Sequence, residues 1–341
     1  MIQLIKTMWR PLLLLSAPIV AASAQSYHVA KTSTLGGDGG WDYIALDTVG
    51  HRLFVARQNR VMVIDPESGK VLAEIPGLNR AHGVAFSYAT GKGFATSGGD
   101  SSVIVFDLKS LQVLGRTTAA VDADAIIFDP ATKHIFTFNG DANSSSVIDA
   151  ASGQRIGNIP LGGGPEFGVS SGDGKVYVNL EDSSMVEEID AVAMKVTRRW
   201  SLAPCQSPSG LAIDRAHHLL FSGCHNQVMA ISDATTGKVV AAVPIGQGID
   251  ACRFDPGTQL AFASNGDGTL TVIREDSPTK FTVVGNVATK RGARTMEIDE
   301  KTHRVFTVTA DFGPPPAPTA DRPRPRPTIL PGTFALLELD P

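Results

Sequence analysis

Long apolar runs and stretches with helical periodicity are scarce in this 341-residue chain. Beyond residue 24, no segment is apolar over the ~20 residues that a membrane-spanning helix requires, so the mature chain is predicted to lack a transmembrane segment. In contrast, 34 glycines and 21 prolines indicate many tight turns. Because 43% of the residues are apolar, the chain can bury a sizeable core, and the sequence predicts an all-β fold.

The chain also lacks an excess of positive charge, with 30 Lys and Arg against 34 Asp and Glu. Nucleic-acid-binding proteins carry broad basic surfaces, so nucleic acid is not an expected partner. The N-terminus is locally basic, because Lys6 and Arg10 precede an apolar run and the small residues ASA at 22–24. This pattern predicts a cleavable signal peptide over residues 1–24 and export to the periplasm or the exterior, with an uncleaved anchor as the alternative.

A repeat of 40–44 residues runs through the rest of the chain. Seven short apolar runs each end on an acidic or hydroxyl residue, namely Asp47, Ser87, Asp129, Ser171, Asp214, Asp255 and Asp299. A turn and further apolar runs follow, as in RLFVA at 52–56, VMVID at 61–65 and VLAEI at 71–75. Four short strands per repeat are typical of a propeller blade, so the sequence predicts a seven-bladed β-propeller with four-stranded antiparallel blades over residues 25–341.

The two ends of the propeller domain are predicted to meet. The seventh repeat supplies only three strands, and the segment at 26–37 is expected to complete the last blade as its fourth. The seventh repeat also holds a Pro- and Arg-rich insertion at 313–332, whose prolines favour an extended form. A surface loop is the simple interpretation, and a docking segment for a protein partner is the alternative.

The repeated VxVID-xxxGK-V pattern, with strand cores such as RLFVA and KVYVN at 175–179, resembles the YncE-like, YVTN-repeat seven-bladed propellers of bacteria. The resemblance covers about residues 26–341 and implies an exported binding or interaction protein. Some members are described as DNA-binding-like, so single-stranded DNA binding is a further implied possibility, against which the acidic composition counts. The GH and WD pairs that mark WD40 blades do not recur at fixed places in each repeat of this sequence.

Residues five positions before each repeat end are predicted to share one mouth of the central channel. They are Asp42, His82, Asp124, Glu166, Ser209, Asp250 and Arg294. We expect a ligand site for a small molecule or peptide formed by Asp42, His82, Asp124, Glu166, Asp250 and Arg294, with a merely solvated polar mouth as the alternative. A second alternative is a divalent cation (Ca, Mg, Mn or Zn) held by Asp42, His82, Asp124, Glu166 and Asp250.

The glycine-rich GGDGG at 36–40 is interpreted as a tight approach to this mouth, because phosphate loops precede a helix and here strands follow. Asn139, Asn179 and Asn265 end second strands, where they would orient the inner carboxylates or simply close turns. The rival function is a metal-dependent hydrolase or lyase with His82 as general acid or base and Glu166 as its partner. A GxSxG elbow is absent, which argues against a nucleophilic serine.

Only three cysteines occur, at positions 205, 224 and 252. Cys205 enters the fifth repeat and Cys224 ends its second strand, so both are expected at one face of the propeller. An exported protein permits oxidation, and the positions predict a Cys205–Cys224 disulfide with Cys252 free and buried. A thiolate metal site is the alternative, but CxxC spacing is missing. The sequence thus predicts an exported, monomeric binding protein.

Overall fold

The computed structural model describes residues 26–319, 325 and 327–341. The predicted signal peptide at 1–24 therefore lies outside the described residues, as does part of the insertion at 313–332. At the base of that insertion, Phe312 pairs with Ile329. In the described part of the chain, no helix is long and apolar enough to cross a membrane.

Short strands account for almost all of the regular structure. In chain order they are β1 (His28–Thr34), β2 (Ile44–Asp47), β3 (Arg52–Ile64), β4 (Val71–Ser87), β5 (Lys92–Ser97), β6 (Ser102–Asp107), β7 (Val113–Thr118), β8 (Ala123–Asp129), β9 (His134–Asn139), β10 (Ser144–Asp149), β11 (Arg155–Pro160), β12 (Pro165–Ser170), β13 (Lys175–Leu180), β14 (Met185–Asp190), β15 (Lys195–Ser201), β16 (Pro208–Asp214), β17 (Leu219–Cys224), β18 (Val228–Asp233), β19 (Lys238–Pro244), β20 (Ile249–Asp255), β21 (Leu260–Asn265), β22 (Thr269–Ser277), β23 (Lys280–Ala288), β24 (Met296–Asp299), β25 (Arg304–Thr309) and β26 (Ala335–Asp340). Two single-turn 3-10 helices, Tyr88–Thr90 and Gly98–Asp100, lie beside β5.

These strands form antiparallel sheets arranged as the blades of a β-propeller. Five sheets have four strands: β8–β11, β12–β15, β16–β19, β20–β23, and β24–β26 completed by β1. The sixth sheet has six strands in the order β2 to β7. The all-β propeller and its four-stranded antiparallel blades are therefore confirmed.

The predicted number of seven separate blades is wrong, because the described strands form six sheets. The cause lies in β3 and β4, which have 13 and 17 residues and continue through positions where the sequence predicts breaks. Residues 71–81 of β4 pair with β3, and residues 81–87 pair with β5. The first two sequence repeats therefore share one sheet. The inner segment of each repeat still contacts the inner segment of the next, and the ring closes in the order β2, the end of β4, β8, β12, β16, β20 and β24.

The N-terminal strand closes this ring, as the sequence predicts. β1 pairs antiparallel with β26, from His28 opposite Asp340 to Thr34 opposite Ala335. Just before β1, Tyr27 donates a hydrogen bond from its hydroxyl to the carbonyl of His303 at 2.8 Å. Its ring also packs edge-on against Phe262 of the preceding sheet, with centroids 5.0 Å apart. β1 thereby covers the edge of β26 and forms the outer strand of this sheet.

The repeated aspartates close turns at the face where the inner strands end, which we call the lower face. Asp47 accepts a hydrogen bond from the backbone N–H of Gly50 at 2.8 Å, and Asp129 accepts one from Thr132 at 2.9 Å. These carboxylates are buried, with 1% and 0% of the residue exposed. Short polar side chains that bond the backbone two or three residues on stabilise tight turns. The repeat that marks the fold in the sequence is thus a structural feature.

The predicted Cys205–Cys224 disulfide is present, with the two Cα atoms 5.6 Å apart. It joins the loop before β16 to the end of β17, both at the face where the inner strands begin. Cys252, in β20, is free and fully buried, and burial raises the pKa of its thiol to about 12. Cys205 and Cys224 are joined to each other, and the thiol of Cys252 is buried and protonated. The three cysteines therefore do not form the alternative thiolate metal site in the described part of the chain.

Candidate functional site

The inner strands begin at the opposite face, which we call the upper face, and there the predicted residues gather around Tyr43. We name Asp42, His82, Asp124, Glu166, Asp250 and Arg294 the mouth cluster. The backbone N–H of Tyr43 donates to the carbonyl of His82 at 3.1 Å, which ties two neighbouring inner segments together. The four carboxylates of the cluster all act on the phenol of Tyr43, whose pKa is raised first by burial and then by their charges. The predicted convergence of residues from distant repeats is therefore observed.

Three members of the mouth cluster are in direct contact. Nδ1 of His82 lies 2.6 Å from Oδ2 of Asp42 and 3.2 Å from Oδ1 of Asp124. The imidazole is 9% exposed and each carboxylate 21% exposed. One ligand atom from each residue falls within 4.8 Å of the others, which is close enough for one cation to contact all three. These three residues come from three consecutive repeats.

The far side of the His82 ring faces protein instead of the channel. Nε2 is buried and has no hydrogen-bond partner among the described residues. A Cβ added to Gly98 would lie 2.8 Å from this nitrogen and 2.9 Å from the ring carbon Cδ2. The absence of a side chain at Gly98 therefore leaves the space that the ring occupies. The ring is held with Nδ1 toward the carboxylates.

The remaining members complete the mouth cluster. Arg294 Nη1 lies 3.5 Å from Asp250 Oδ1, and this charge raises the pKa of the guanidinium. Glu166 hydrogen-bonds to Glu181, a residue that follows β13 and that no repeat position had indicated. Ser209, the seventh position of the predicted ring, contacts the backbone carbonyl of Asp250 through its hydroxyl at 3.4 Å.

Burial and neighbouring charges raise the pKa of two acids of the mouth cluster, Asp124 and Glu166. Burial raises the pKa of Asp124 to about 7, with Asp42 and Asp122 adding to the rise against the opposing effect of His82. Burial likewise raises the pKa of Glu166 to about 9, helped by Asp124 and Glu181. Burial lowers the pKa of His82, but its bond to Asp42 and the charge of Asp124 outweigh burial and leave that pKa raised. A positively charged group entering the mouth would remove this repulsion.

Tyr43 and Phe167 lie between the mouth cluster and the channel below it. Their rings meet edge to face with centroids 5.1 Å apart. The channel continues as a cavity of about 320 Å³ lined mainly by apolar residues of the inner strands. Within it, Arg253 donates from Nε and Nη2 to the two carboxylate oxygens of Glu297 at 2.7 and 3.1 Å. The charges of Arg253 and Glu297 are thus matched within the cavity, whereas the mouth cluster has more carboxylates than basic groups.

The three asparagines support the sheets, and the predicted role of orienting the inner carboxylates is corrected. Asn139 donates from Nδ2 to the carbonyl of Ser144 at 2.9 Å, within its own sheet. Asn265 donates to the hydroxyls of Thr269 and Thr271, also within its own sheet. Both therefore close turns, the alternative that the sequence left open.

Asn179 has a different role from the other two asparagines. It donates from Nδ2 to the carbonyls of Ser209 at 3.0 Å and Gly210 at 3.1 Å, on the inner strand of the next sheet. In return, its Oδ1 accepts from Ser222 at 2.9 Å. It therefore holds two sheets together below the mouth through backbone contacts.

The acid–base pair proposed from the sequence is also corrected by the geometry. The carboxylates in contact with His82 are those of Asp42 and Asp124, whereas Glu166 is bonded to Glu181. Nδ1 of His82 is engaged by these two carboxylates, and Nε2 is buried beside Gly98. Glu166 is therefore not the partner of His82.

Replacing Gly98 by Ala is expected to displace the His82 ring and to weaken its bond to Asp42. The pKa of His82 should then fall toward its ordinary value, because the interactions that raise it depend on this placement. An NMR titration of the histidine ring signals measures the effect. Gly115→Ala, on β7 where an added Cβ meets no atom within 4 Å, is the matched control and should leave that pKa unchanged. An unchanged His82 titration in Gly98→Ala would show that the glycine does not position the ring.

Comparison with solved structures shows that the chain is similar to β-propellers. The WD40 repeats of RRP9 match with a TM-score of 0.76 at 11% identity, covering 92% of this chain and 99% of that chain. A chain of a mitotic checkpoint complex matches with a TM-score of 0.74 at 13% identity, covering 98% of each chain. A chain of the hydrazine synthase of Kuenenia stuttgartiensis matches with a TM-score of 0.51 at 17% identity, covering 73% of this chain and 99% of that chain.

These identities are low, so the similarity shows the fold alone. The WD40 neighbours were not expected from the sequence, in which GH and WD pairs do not recur in each repeat. No family model and no curated protein matches the chain. Membership of the YncE-like family consequently stays a prediction.

Proposed function

We propose that the protein is a binding protein that accepts a positively charged ligand at the mouth cluster. The observation that carries the proposal is the contact of His82 Nδ1 with both Asp42 and Asp124 in a mouth that Glu166 and Asp250 also approach. Four carboxylates meet one arginine and one histidine there, so negative charge is in excess when the acids ionise. A cationic group is the ligand chemistry that such a site recognises.

The fold is consistent with this role. β-Propellers of the WD40 type are commonly used by interaction and scaffold proteins, and the similar RRP9 structure consists of WD40 repeats. We further propose, from the sequence, that the chain is an exported, YncE-like protein acting as a monomer. A small molecule or a peptide that offers an amine or guanidinium group would bind at the mouth, and the 313–332 segment is the proposed contact for a protein partner.

A divalent cation is the second candidate ligand, favoured by the placement of the Asp42, His82 and Asp124 ligand atoms within 4.8 Å of one another. A mixed nitrogen and oxygen ligand set suits Mn²⁺ or Zn²⁺ better than Ca²⁺ or Mg²⁺, which prefer oxygen alone. Asp42 and Asp124 would supply oxygens and His82 its Nδ1. The hydrolase or lyase alternative receives no support from the contacts of His82 and Glu166. An acidic mouth also disfavours single-stranded DNA as a ligand.

Calorimetric titrations of the full chain with Mn²⁺, Ca²⁺ and the diamine putrescine test the proposal. We expect binding of at least one of these probes and a loss of affinity of about tenfold or more in Asp42→Asn and Asp124→Asn, because each removes a charge-assisted contact. Glu74→Gln, an exposed carboxylate on β4 that pairs with Arg60, is the control and should bind as the wild type does.

The three probes separate the two candidate ligands. Binding of putrescine without Mn²⁺ supports an organic cation, and binding of Mn²⁺ alone supports the metal. The proposal fails if no probe binds, or if the Asp42→Asn, Asp124→Asn and Glu74→Gln variants all retain wild-type affinity.

A further inference from the structure

A second cluster of ligand-type side chains lies at the lower face, at the other end of the propeller from the mouth cluster. Asp214 is the last residue of β16, His217 is in the turn that follows it, and Glu275 is on β22 of the next sheet. Nδ1 of His217 lies 2.7 Å from Oδ2 of Asp214 and 2.7 Å from Oε1 of Glu275. We name these three residues the lower cluster. They join two neighbouring sheets.

The lower cluster places two buried carboxylates beside a single histidine. The side chains of Asp214 and Glu275 are 1% and 0% exposed. Oε2 of Glu275 is buried and has no hydrogen-bond or ion-pair partner among the described residues. Burying an ionised carboxylate in this way costs several kcal/mol unless a cation or donors compensate it. Among the described residues, His217 faces both carboxylates, and the backbone N–H of Ala216 donates to Oδ1 of Asp214 at 2.9 Å. The His217 side chain is 40% exposed, so the cluster is open to solvent on one side.

A second buried Asp–His contact, between Asp255 and His303, differs from the lower cluster because it contains one carboxylate instead of two. At the end of β20, Asp255 is also buried, and Nδ1 of His303 lies 2.7 Å from its Oδ2. The rest of that carboxylate accepts from the N–H of Gly257 at 2.9 Å and the hydroxyl of Thr258 at 2.7 Å. A structural Asp–His contact at this face thus needs one carboxylate. The buried Glu275 is the addition that distinguishes the lower cluster.

We propose that the lower cluster is a binding site for a divalent transition-metal cation such as Mn²⁺ or Zn²⁺. Asp214 and Glu275 supply carboxylate oxygens, His217 supplies Nδ1, and water completes the coordination on the exposed side. Ligand atoms about 2.0–2.2 Å from a metal lie about 2.8–3.6 Å from each other, depending on whether the coordination is octahedral or tetrahedral, so separations of 2.7 Å need to widen by at most about 0.9 Å. A nitrogen with two carboxylates favours these metals over Ca²⁺ and Mg²⁺.

Binding at the lower cluster exchanges the metal for a proton. The Nδ1 lone pair of His217 coordinates the cation, and the proton that Nδ1 carries leaves to solvent. The affinity should therefore rise with pH, as it does at other sites whose ligands must be deprotonated.

The test is a titration of the full chain with Mn²⁺ at pH 7.5, in which the EPR signal of the free ion measures how much Mn²⁺ stays unbound. We expect one Mn²⁺ equivalent that weakens by at least about tenfold in Glu275→Gln and in His217→Ala, since each removes a ligand. His303→Ala is the matched control, because it breaks a His–Asp contact of the same length without a second buried carboxylate. Asp124→Asn, at the mouth cluster, should also leave this equivalent intact.

These variants separate the two sites. If Mn²⁺ binding is lost only in Asp124→Asn, the ion binds at the mouth cluster and the lower site is overturned. If Asp124→Asn binds Mn²⁺ as the wild type does and Glu275→Gln binds it more weakly, the lower site stands. Equal losses in His303→Ala and His217→Ala would likewise overturn it, as would wild-type binding in both lower-cluster variants. His217 is partly exposed, so His217→Ala keeps the test valid if Glu275→Gln misfolds. In NMR spectra, substoichiometric Mn²⁺ should broaden the ring signals of His217 and spare those of His303.

Discussion

Replacing Gly210 by Ala is expected to lower the free energy of unfolding by about 3 kcal/mol. Gly210 lies on the inner strand β16, and a Cβ added there would sit 2.5 Å from the backbone nitrogen of Cys252 and 2.7 Å from the carbonyl carbon of Ala251. Those atoms belong to β20, the neighbouring inner strand, so the two strands must separate for the methyl group to fit. Overpacking that cannot be relieved by a side-chain rotation typically costs about 1–3 kcal/mol or more. Urea denaturation measures the change.

The same substitution at Gly115 provides the control for Gly210→Ala. Gly115 lies on β7, and an added Cβ meets no atom within 4 Å. Because alanine loses less backbone entropy than glycine on folding, Gly115→Ala should leave stability unchanged or raise it by about 0.5 kcal/mol. If Gly210→Ala and Gly115→Ala unfold at the same urea concentration, the inner strands are not packed as closely as the structure has them.

The stability of the protein without added cations is expected to fall as the pH rises from about 5 to about 9. Burial raises the pKa of Asp124 to about 7 and that of Glu166 to about 9, so the native state keeps protons that the unfolded chain has released. Stability falls with pH wherever the native state binds more protons, by about 1.4 kcal/mol per pH unit for each proton retained. The raised pKa of His82 acts in the same direction, because the stability it contributes is present at low pH and is lost as the pH passes through its folded value.

The Glu166→Gln variant shows how much of this pH dependence of stability comes from the proton on Glu166. A glutamine resembles the protonated acid and does not titrate, so the slope of unfolding free energy against pH should be shallower than in the wild type between about pH 5 and pH 9. Urea denaturation at pH 5, 7 and 9 gives the slopes. Glu74→Gln, an exposed control, should retain the wild-type slope. A wild-type slope in Glu166→Gln would mean that Glu166 is ionised and solvated in the folded protein.

Much of the architecture was predictable because it depends on spacing along the chain. A period of 40–44 residues with four short strands predicts blades around an axis, and the same period predicts that Asp42, His82 and Asp124 occupy equivalent positions. Equivalent positions in a closed ring must lie at one end of the channel, so the mouth cluster followed from the repeat. The closing strand β1 and the Cys205–Cys224 disulfide followed from the same alignment of repeats.

Other features depend on distances between sheets, which the repeat does not encode. β3 and β4 continue through predicted turns, so two repeats share one sheet and the described residues form six sheets rather than seven. The partners of His82 depend on where Gly98 leaves space, and the roles of Asn139 and Asn265 depend on which hydroxyl lies nearest within each sheet.

The sequence by itself determined the propeller architecture, the closure of the ring and the residues at its mouth. Only the tertiary structure decided which side chains touch, including the contact of Glu275 with Asp214 and His217 across two sheets. The physical reason is that strand periodicity is a local property repeated along the chain. A contact between side chains, in contrast, is set by sub-ångström packing between segments far apart in sequence.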